Sequence, residues 1–359
     1  MAFLLNGLGA VLAPLQRDLH VTRSDVAFYP SLFAAGLVVV GLTGGALVGR
    51  IGRTAALRLA MAGMMLGGLL LATPARIATL LGALLLGLGG AVMVQLGPPL
   101  LSALHPQAPT AAVGEANALA SAASVVAPLA VSAALVSGLG WRAGYVGPAL
   151  LALALLTVPA WKLKMPEPPP SAEDSQGVAS QPLLGPWVDV LVAVSAEFCF
   201  VFWAASALIE WDHASLGQAS ALASLFLVGM AVGRGLSAPI TRRLSAVRAL
   251  MLTCVGVAAA GFVVFWAAPN LTLAAAGLFV AGLGMALLYP TTVSRVVAVW
   301  PHAPDRAAAW AALASGLAIG IAPFVLARLS DATELHTAYL IVPALLLVLA
   351  ARSVFSRSA

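Results

Sequence analysis

Ser31-Leu32-Phe33-Ala34-Ala35-Gly36 recurs later in the chain as Ser224-Leu225-Phe226-Leu227-Val228-Gly229, at an offset of 193 residues. Three further stretches recur in the same order at an offset of 195: Gly87-Leu88-Gly89 as Gly282-Leu283-Gly284, Ala127-Pro128 as Ala322-Pro323, and Pro148-Ala149-Leu150-Leu151 as Pro343-Ala344-Leu345-Leu346. One such match means little in an apolar chain, but four in order at nearly one offset indicate two homologous halves. In a membrane protein, duplicated halves are typical of transporters, because each half can open a shared pathway to one side.

The composition predicts an integral membrane protein. The chain is 61% hydrophobic and 9% charged, with a mean hydropathy of +1.01. Twelve apolar segments recur along the chain at lengths suited to crossing about 30 Å of hydrocarbon as helices, although the first is short, and the alternating pattern of a β-barrel is absent. We therefore expect an all-α fold with twelve transmembrane helices in two pseudo-symmetric six-helix bundles.

One polar, proline-rich segment divides the two halves. Residues 161–186 contain six prolines and three carboxylates and can form neither a packed core nor a membrane span. The sequence thus predicts an N-terminal bundle over residues 1–160, a cytoplasmic linker over 161–186 and a C-terminal bundle over 187–359. The seventh segment begins near Trp187, so the repeat offset places the expected start of its mate before Met1. The first helix is therefore expected to be truncated, although a natively short helix remains the alternative.

The basic residues predict an orientation. With both termini on the cytoplasmic side, twelve of the 18 Lys and Arg residues lie on that side and Arg234 lies within a segment. Five lie on the opposite side, namely Arg17, Arg23, Arg76, Arg142 and Arg328. This bias follows the positive-inside rule and predicts a multi-pass protein of a bacterial-type plasma (inner) membrane. The basic residues are dispersed among apolar segments, so nucleic acid is not an expected partner.

Residues Gly45-Ala46-Leu47-Val48-Gly49-Arg50-Ile51-Gly52-Arg53 resemble the loop motif Gly-x-Leu-x-Asp-Arg-x-Gly-Arg-Lys of the major facilitator superfamily. Two six-helix halves with a cytoplasmic linker are also that family's organisation, so the resemblance covers essentially the whole chain. In the family, the motif's carboxylate helps to latch the cytoplasmic side. Here Gly49 replaces it, so we expect a weaker latch or one built elsewhere. The uncharged fourth segment and the missing Gly-Pro of the fifth count against drug antiport.

Glu197 is the leading candidate for chemistry, because it lies near the middle of the seventh segment. Burial there penalises a charged carboxyl and lets it exchange a proton during a conformational change. The alternative is a structural carboxyl held between helices. Phe200 and Trp203 share its helical face and are predicted to line the substrate cavity. Glu197 with a nearby Phe and Trp is similar to the seventh segment of fucose-permease-related bacterial facilitators.

Arg234 is the basic residue placed well inside a segment, and we predict that it faces the same cavity. It is expected either to alternate between Glu197 and Asp189 or to hold an anionic substrate. A static pair of Asp189 with Arg234, which would latch the cytoplasmic ends, is the competing interpretation.

The remaining candidates follow from polarity and helix bending. Neutral side chains in the N-terminal half could line the cavity or join helices: Asn6, Gln95 and Asn117. Residues expected to take part in gating lie in the loop motif, at helix ends and at proline bends: Gly45, Arg50, Gly52, Arg53, Pro128, Asp189, Arg243 and Pro323.

These observations favour a secondary active transporter of a small organic solute, working by rocking-bundle alternating access and coupled to protons through Glu197. The alternatives are a drug or metabolite efflux antiporter and a non-transporting membrane sensor. An enzyme is not expected, since the chain contains no His-Glu-x-x-His motif and no nucleophile–base pair at membrane depth. The expected partners are a small-molecule substrate, protons and the lipid bilayer, with no cofactor or metal and a monomeric state.

Overall fold

The computed structural model describes residues 1–105, 107–162, 183–244, 246–299 and 304–355, and within these ranges every regular element is a helix. The N-terminal half contains six helices, which alternate in direction: α1 (Ala2–Leu19), α2 (Arg23–Ile51), α3 (Arg53–Leu71), α4 (Arg76–Leu104), α5 (Pro109–Val136) and α6 (Gly140–Lys162).

The C-terminal half repeats this plan with three interrupted spans. Its helices are α7 (Leu184–Asp212), α8 (Leu216–Gly235), α9 (Ser237–Arg243), α10 (Val247–Trp266), α11 (Leu271–Met285), α12 (Leu288–Val299), α13 (Pro304–Ala332), α14 (Leu335–Ala338) and α15 (Ile341–Phe355). The short α9 extends α8, while α11 with α12 and α14 with α15 each form one span. Among the described residues, ten spans are long and apolar enough to cross a membrane. With α1 and α6 they make two sets of six, as predicted.

The predicted domain boundaries fall close to helix ends, since α6 ends at Lys162 and α7 begins at Leu184. Most of the predicted linker lies outside the described residues, so the division into 1–160, 161–186 and 187–359 stays a prediction.

Repeated residues lie at close helix crossings in each half. A Cβ atom on Gly87 of α4 would lie 2.1 Å from the carbonyl oxygen of Phe33 in α2. A Cβ atom on Gly282 of α11 would lie 2.0 Å from the carbonyl oxygen of Phe226 in α8. Since only glycine fits at either crossing, the α2–α4 and α8–α11 contacts are equivalent in the two halves. The recurrence of these residues therefore reflects the same packing requirement in both halves.

The two halves meet mainly through three helix pairs, which are α1 with α7, α2 with α13 and α5 with α8, and α1 also contacts α8. The first is the tightest at one point, because a Cβ atom on Gly9 would lie 1.9 Å from the carbonyl oxygen of Val201. The other two pairs are related by the repeat. Ser31 donates a hydrogen bond to the carbonyl of Gly320 (2.7 Å), and Ser132 donates one to the carbonyl of Gly217 (2.8 Å).

The halves are together at the end of the bundle where α1 ends and α2 begins, here called the α1–α2 end, and apart at the opposite end. The face of α2 that carries Ser31, Ala34 and Val38 contacts α13. One or two turns further on, Gly41 and Gly45 continue this face, yet a Cβ atom on either would meet nothing within 4 Å. The interface thus opens along α2 into a space between the halves.

Candidate functional site

Glu197 lies at the middle of the most enclosed helix of the fold. It is the fourteenth of the 29 residues of α7, and eighteen of those residues are buried. Its carboxylate side chain is 11% exposed. It lies one helical turn before Val201, where α1 crosses α7. A carboxyl at this depth sits where the two halves meet.

Arg234 approaches Glu197 from the last turn of α8. Its Nη2 lies 3.8 Å from Oε1 of Glu197, which makes a loose ion pair, and 40% of the arginine side chain is exposed. The carbonyl dipoles at the C-terminal end of a helix favour a positive charge at this position. The preceding residue, Gly233, packs against Leu283 and Ala286, so the arginine emerges between α8, α7 and α11.

A break in the tenth span provides a second partner for Arg234. In a continuous helix the N–H of residue 290 would bond to the carbonyl of Ala286, but Pro290 has no N–H. The helix turns between Met285 and Leu288, and Arg234 Nε donates a long hydrogen bond of 3.5 Å to the freed carbonyl of Ala286. Arg234 is therefore shared between a carboxylate and a backbone oxygen.

Tyr289 completes the polar group around the pair. Its side chain is partly buried and lies near Ser315 of α13, Glu197 and Arg234. Since α13 also contacts α2 of the other half, this tyrosine links the pair to the interface between the halves. We call Glu197, Arg234, Tyr289 and the Ala286 carbonyl the central polar site. Sequence analysis did not assign Tyr289 a role, although the adjacent Pro290 was a signal of a break in the helix at this point.

Asp189 does not pair with Arg234, so the static latch between them is not what the structure contains. Its carboxylate is 2% exposed and accepts hydrogen bonds from Arg295 of α12 and Arg352 of α15, each at 2.5 Å. Both partners belong to the same half as Asp189. These three residues, here called the clamp, hold one end of α7 inside the C-terminal bundle. Arg352 also donates a hydrogen bond to the carbonyl of Gly185 (2.7 Å).

Phe200 and Trp203 do not line an open cavity in this conformation, contrary to the sequence-based expectation. Phe200 is fully buried and stacks on Phe226, with their ring centroids 4.9 Å apart. Trp203 is also fully buried, and its indole N–H donates to the carbonyl of Pro323 (2.9 Å). Helical spacing does place both near the face of Glu197, but α7 is surrounded by other helices, so this face packs against α8 and α13.

The three neutral candidates of the N-terminal half have different surroundings. The side-chain amide of Asn6 donates to Ser124 of α5 and to the carbonyl of Ala2, each at 3.1 Å, so it joins α1 to α5. Gln95 and Asn117 are exposed, and Gln95 lies against Gly44 of α2. The structure brings none of the three into contact with Glu197.

The gating candidates lie at helix ends and bends. Gly52 has φ of +81° between α2 and α3, a conformation that favours glycine, while Gly45, Arg50 and Arg243 are exposed and Arg53 begins α3. Pro128 and Pro323 lie inside α5 and α13, which are equivalent interface helices. These placements leave their role in gating a prediction.

A charged connection between the halves, which sequence analysis missed, closes the α1–α2 end. Arg23 of α2 donates to the carboxylate of Glu210 in α7 and to the hydroxyl of Ser330 in α13. The adjacent backbone N–H of Ser24 donates to the carboxylate of Asp331 (2.9 Å). We call these five residues the α1–α2 latch. The signal available in the sequence was a group of opposite charges at three segment ends.

The sequence matches the family profile of the Major Facilitator Superfamily over residues 1–211 and again over 191–358. No curated protein sequence gives a significant match. A solved bacterial homologue of the human lysosomal transporter Spinster, inward-facing and occupied, superposes with a TM-score of 0.75 at 14% identity, covering 98% of this chain and 94% of that one. The nucleoside transporter NupG superposes with a TM-score of 0.78 at 15% identity, covering 98% and 97%. At these identities the likeness concerns the fold alone.

Proposed function

The chain belongs to the Major Facilitator Superfamily, and from this membership we propose that it is a secondary active transporter of a small organic solute. It works by alternating access and exchanges a proton at Glu197. The observation that carries the proposal is the central polar site, in which a nearly buried carboxylate meets a half-exposed arginine at the junction of the two halves. Charged groups at such a depth are costly and are typical of substrate and ion pathways.

Alternating access is supported by the different contacts at the two ends of the interface. The α1–α2 latch holds one end closed by charged hydrogen bonds. At the other end, Gly41 and Gly45 of α2 and Ala309 and Ala312 of α13 are exposed small residues. When the latch opens and the halves rock, these small residues allow α2 and α13 to approach closely. We call these four residues, which include Gly45, the second gate.

Proton coupling is supported by the position of Glu197 behind Arg234. A proton on Glu197 removes one charge from the pair and frees the arginine, which then keeps the Ala286 carbonyl as a partner. The loss of a proton restores the pair. The pair therefore has two charge states that favour different arrangements of α7 and α8, and this difference can bias the equilibrium between open and closed ends.

In the orientation predicted by the basic residues, both termini are cytoplasmic and the latch faces away from the cytoplasm. The conformation described above is then open to the cytoplasm. We place the protein in a bacterial-type plasma membrane as a monomer. The resemblance of its seventh segment to fucose-permease-related facilitators stays a prediction. It rested partly on Phe200 and Trp203.

Purified protein in proteoliposomes tests this proposal. A pH-sensitive dye inside the vesicles reports proton movement while pools of sugars, carboxylates, amino acids or cationic drugs are added outside. We expect one pool to drive proton movement with wild type, and Glu197→Gln to abolish this movement while solute exchange continues. Glu115→Gln, an exposed carboxyl near the start of α5, is the matched control and keeps wild-type behaviour. Solute transport without proton movement in wild type would refute coupling through Glu197.

A further inference from the structure

The two charges of the central polar site are unequally accessible, and this points to the kind of solute that binds. The side chain of Arg234 is 40% exposed, whereas that of Glu197 is 11% exposed. A solute that enters from the open end therefore meets the guanidinium before the carboxylate. A positively charged solute is repelled at this point and a negatively charged one is attracted.

Arg234 has donors to spare for such a solute. A guanidinium carries five N–H donors, and the structure gives it one long hydrogen bond to Ala286 and one loose ion pair at 3.8 Å. Its planar fork fits a carboxylate with two parallel hydrogen bonds. The carbonyl dipoles at the C-terminal end of α8 favour a positive charge at this position.

The charge of the site depends on one proton. The charged and titratable groups near Glu197, among the described residues, are Arg234 from α8 and Tyr289 from α12. Asp189, two turns away on α7, is already bound by Arg295 and Arg352. With Glu197 charged, the pair is neutral; with Glu197 protonated, the site carries one uncompensated positive charge.

We propose that the substrate is a small organic monoanion whose carboxylate binds Arg234 while Glu197 is protonated, so that a proton and an anion cross together. This inference rests on the proposed function and adds the substrate class to it. One arginine compensates one negative charge, so a monoanion binds better than a dianion. After the halves rock, the anion leaves, Glu197 loses its proton and the pair with Arg234 forms again, which returns the site to its starting charge.

Transport assays in proteoliposomes test the charge of the substrate directly. The probes are benzoate, lactate and pyruvate, the uncharged amides benzamide and lactamide, the dianion succinate and the cation choline. We expect a monocarboxylate to be taken up with protons and at least a tenfold preference over its amide. Arg234→Gln lowers this uptake at least tenfold, and Arg234→Lys retains part of it, since lysine keeps the charge but loses the fork. Arg248→Gln, an exposed arginine in the first turn of α10, retains wild-type uptake.

Binding measured in detergent gives a second readout that does not depend on turnover. The same carboxylate should bind wild-type protein at least tenfold more tightly at pH 5 than at pH 8. Glu197→Gln should bind it equally well at both, because glutamine imitates the protonated acid. A wild-type affinity independent of pH would overturn the inference.

The outcomes distinguish the inference from the proposed function. If an amide or choline drives proton movement that Glu197→Gln abolishes, and Arg234→Gln does not change it, the monoanion is wrong and proton coupling stands. If no class of solute moves protons in wild type, both proposals fail. Each variant is used only after its unfolding temperature matches that of wild type, and Arg234→Lys serves if Arg234→Gln does not fold.

Discussion

Replacing Arg23 by alanine should open the α1–α2 end of the protein. The side chain makes two hydrogen bonds across the halves, one to the partly exposed carboxylate of Glu210 and one to the hydroxyl of Ser330, a buried residue. The exposed pair with Glu210 contributes at most about 1 kcal/mol, and a charged hydrogen bond to a buried hydroxyl adds about 1.5 kcal/mol. Losing both therefore favours the open form by about 2 kcal/mol, or about 30-fold in the equilibrium.

Ser206 offers a position at which this opening can be measured. Its hydroxyl is buried without a partner, and Ser206 lines a pocket of about 290 Å³ together with Arg23 and Glu210 of the latch. A cysteine introduced there, after both native cysteines are replaced by alanine, reacts with a soluble maleimide only when the latch opens. If opening is faster than labelling, the labelling rate follows the open population, so we expect Arg23→Ala to raise it by about 30-fold. Glu210→Gln should raise it by less than about fivefold, because this substitution leaves the bond to Ser330 in place.

Arg142→Ala is the matched control, since Arg142 lies at the same end but pairs with Asp18 inside the N-terminal half (2.6 Å). It removes one arginine and one ion pair without touching a contact between halves. If Arg23→Ala and Arg142→Ala label at the same rate, the latch does not hold this end closed and the reasoning is refuted.

Three further predictions concern the second gate, the clamp and the helix break. Gly45→Trp should stop the open end from closing and lower solute exchange at least tenfold. Gly63→Trp on α3, which also faces open space, should leave solute exchange unchanged. Equal solute exchange by the two variants would contradict the second gate. Asp189→Asn leaves two arginines facing a buried neutral group and costs about 3–5 kcal/mol, so the apparent unfolding midpoint in detergent should fall by several degrees, and Glu115→Gln should not change it. Pro290→Ala restores the missing N–H donor and lets the helix continue, so the amide hydrogens of residues 286–289 should exchange more slowly and transport should slow. Unchanged protection of these amides would mean that the proline does not cause the break.

The architecture was predictable from the sequence because it depends on local and repeated features. Apolar segments of membrane length predict helices wherever they occur. The recurrence of Gly87 as Gly282 and of Phe33 as Phe226 marks crossings that tolerate no side chain, so it predicts the pairing of helices in both halves. Such signals do not require knowledge of how each helix is rotated about its own axis.

The candidate site was predictable only in part, because helix rotation decides which side chains meet. The sequence placed Glu197 and Arg234 within reach of each other, and the structure pairs them. It gave no reason to choose Arg295 and Arg352 as the partners of Asp189, since these residues lie on helices whose rotation is set by packing throughout the bundle. For the same reason Phe200 could not be assigned to a core or a cavity from its spacing to Glu197.

The latch was missed for a different reason. Charged residues at the ends of membrane helices are normally hydrated, so Arg23, Glu210 and Asp331 each have an ordinary explanation when considered alone. Their contact depends on the closeness of α2, α7 and α13 at one end of the interface, which is a property of the conformation as much as of the fold. A sequence specifies all the conformations that the transporter adopts, and no local pattern singles out the one in which these charges meet.

One helix connects the three charged features of the molecule. From Asp189 to Glu197 and from Glu197 to Glu210, α7 rises about 12 Å and about 20 Å, and it carries the clamp, the central polar site and one partner of the latch. Because the clamp fixes one end of α7 to α12 and α15, a change in charge at Glu197 cannot be absorbed by sliding α7 within its own half. We therefore expect protonation of Glu197 to move α7 together with the C-terminal half. This movement would shift Glu210 relative to Arg23, its partner in the α1–α2 latch. Maleimide labelling of Ser206→Cys tests this coupling: Glu197→Gln should change the labelling rate when Arg23 is intact and have little effect once Arg23→Ala has already released the latch.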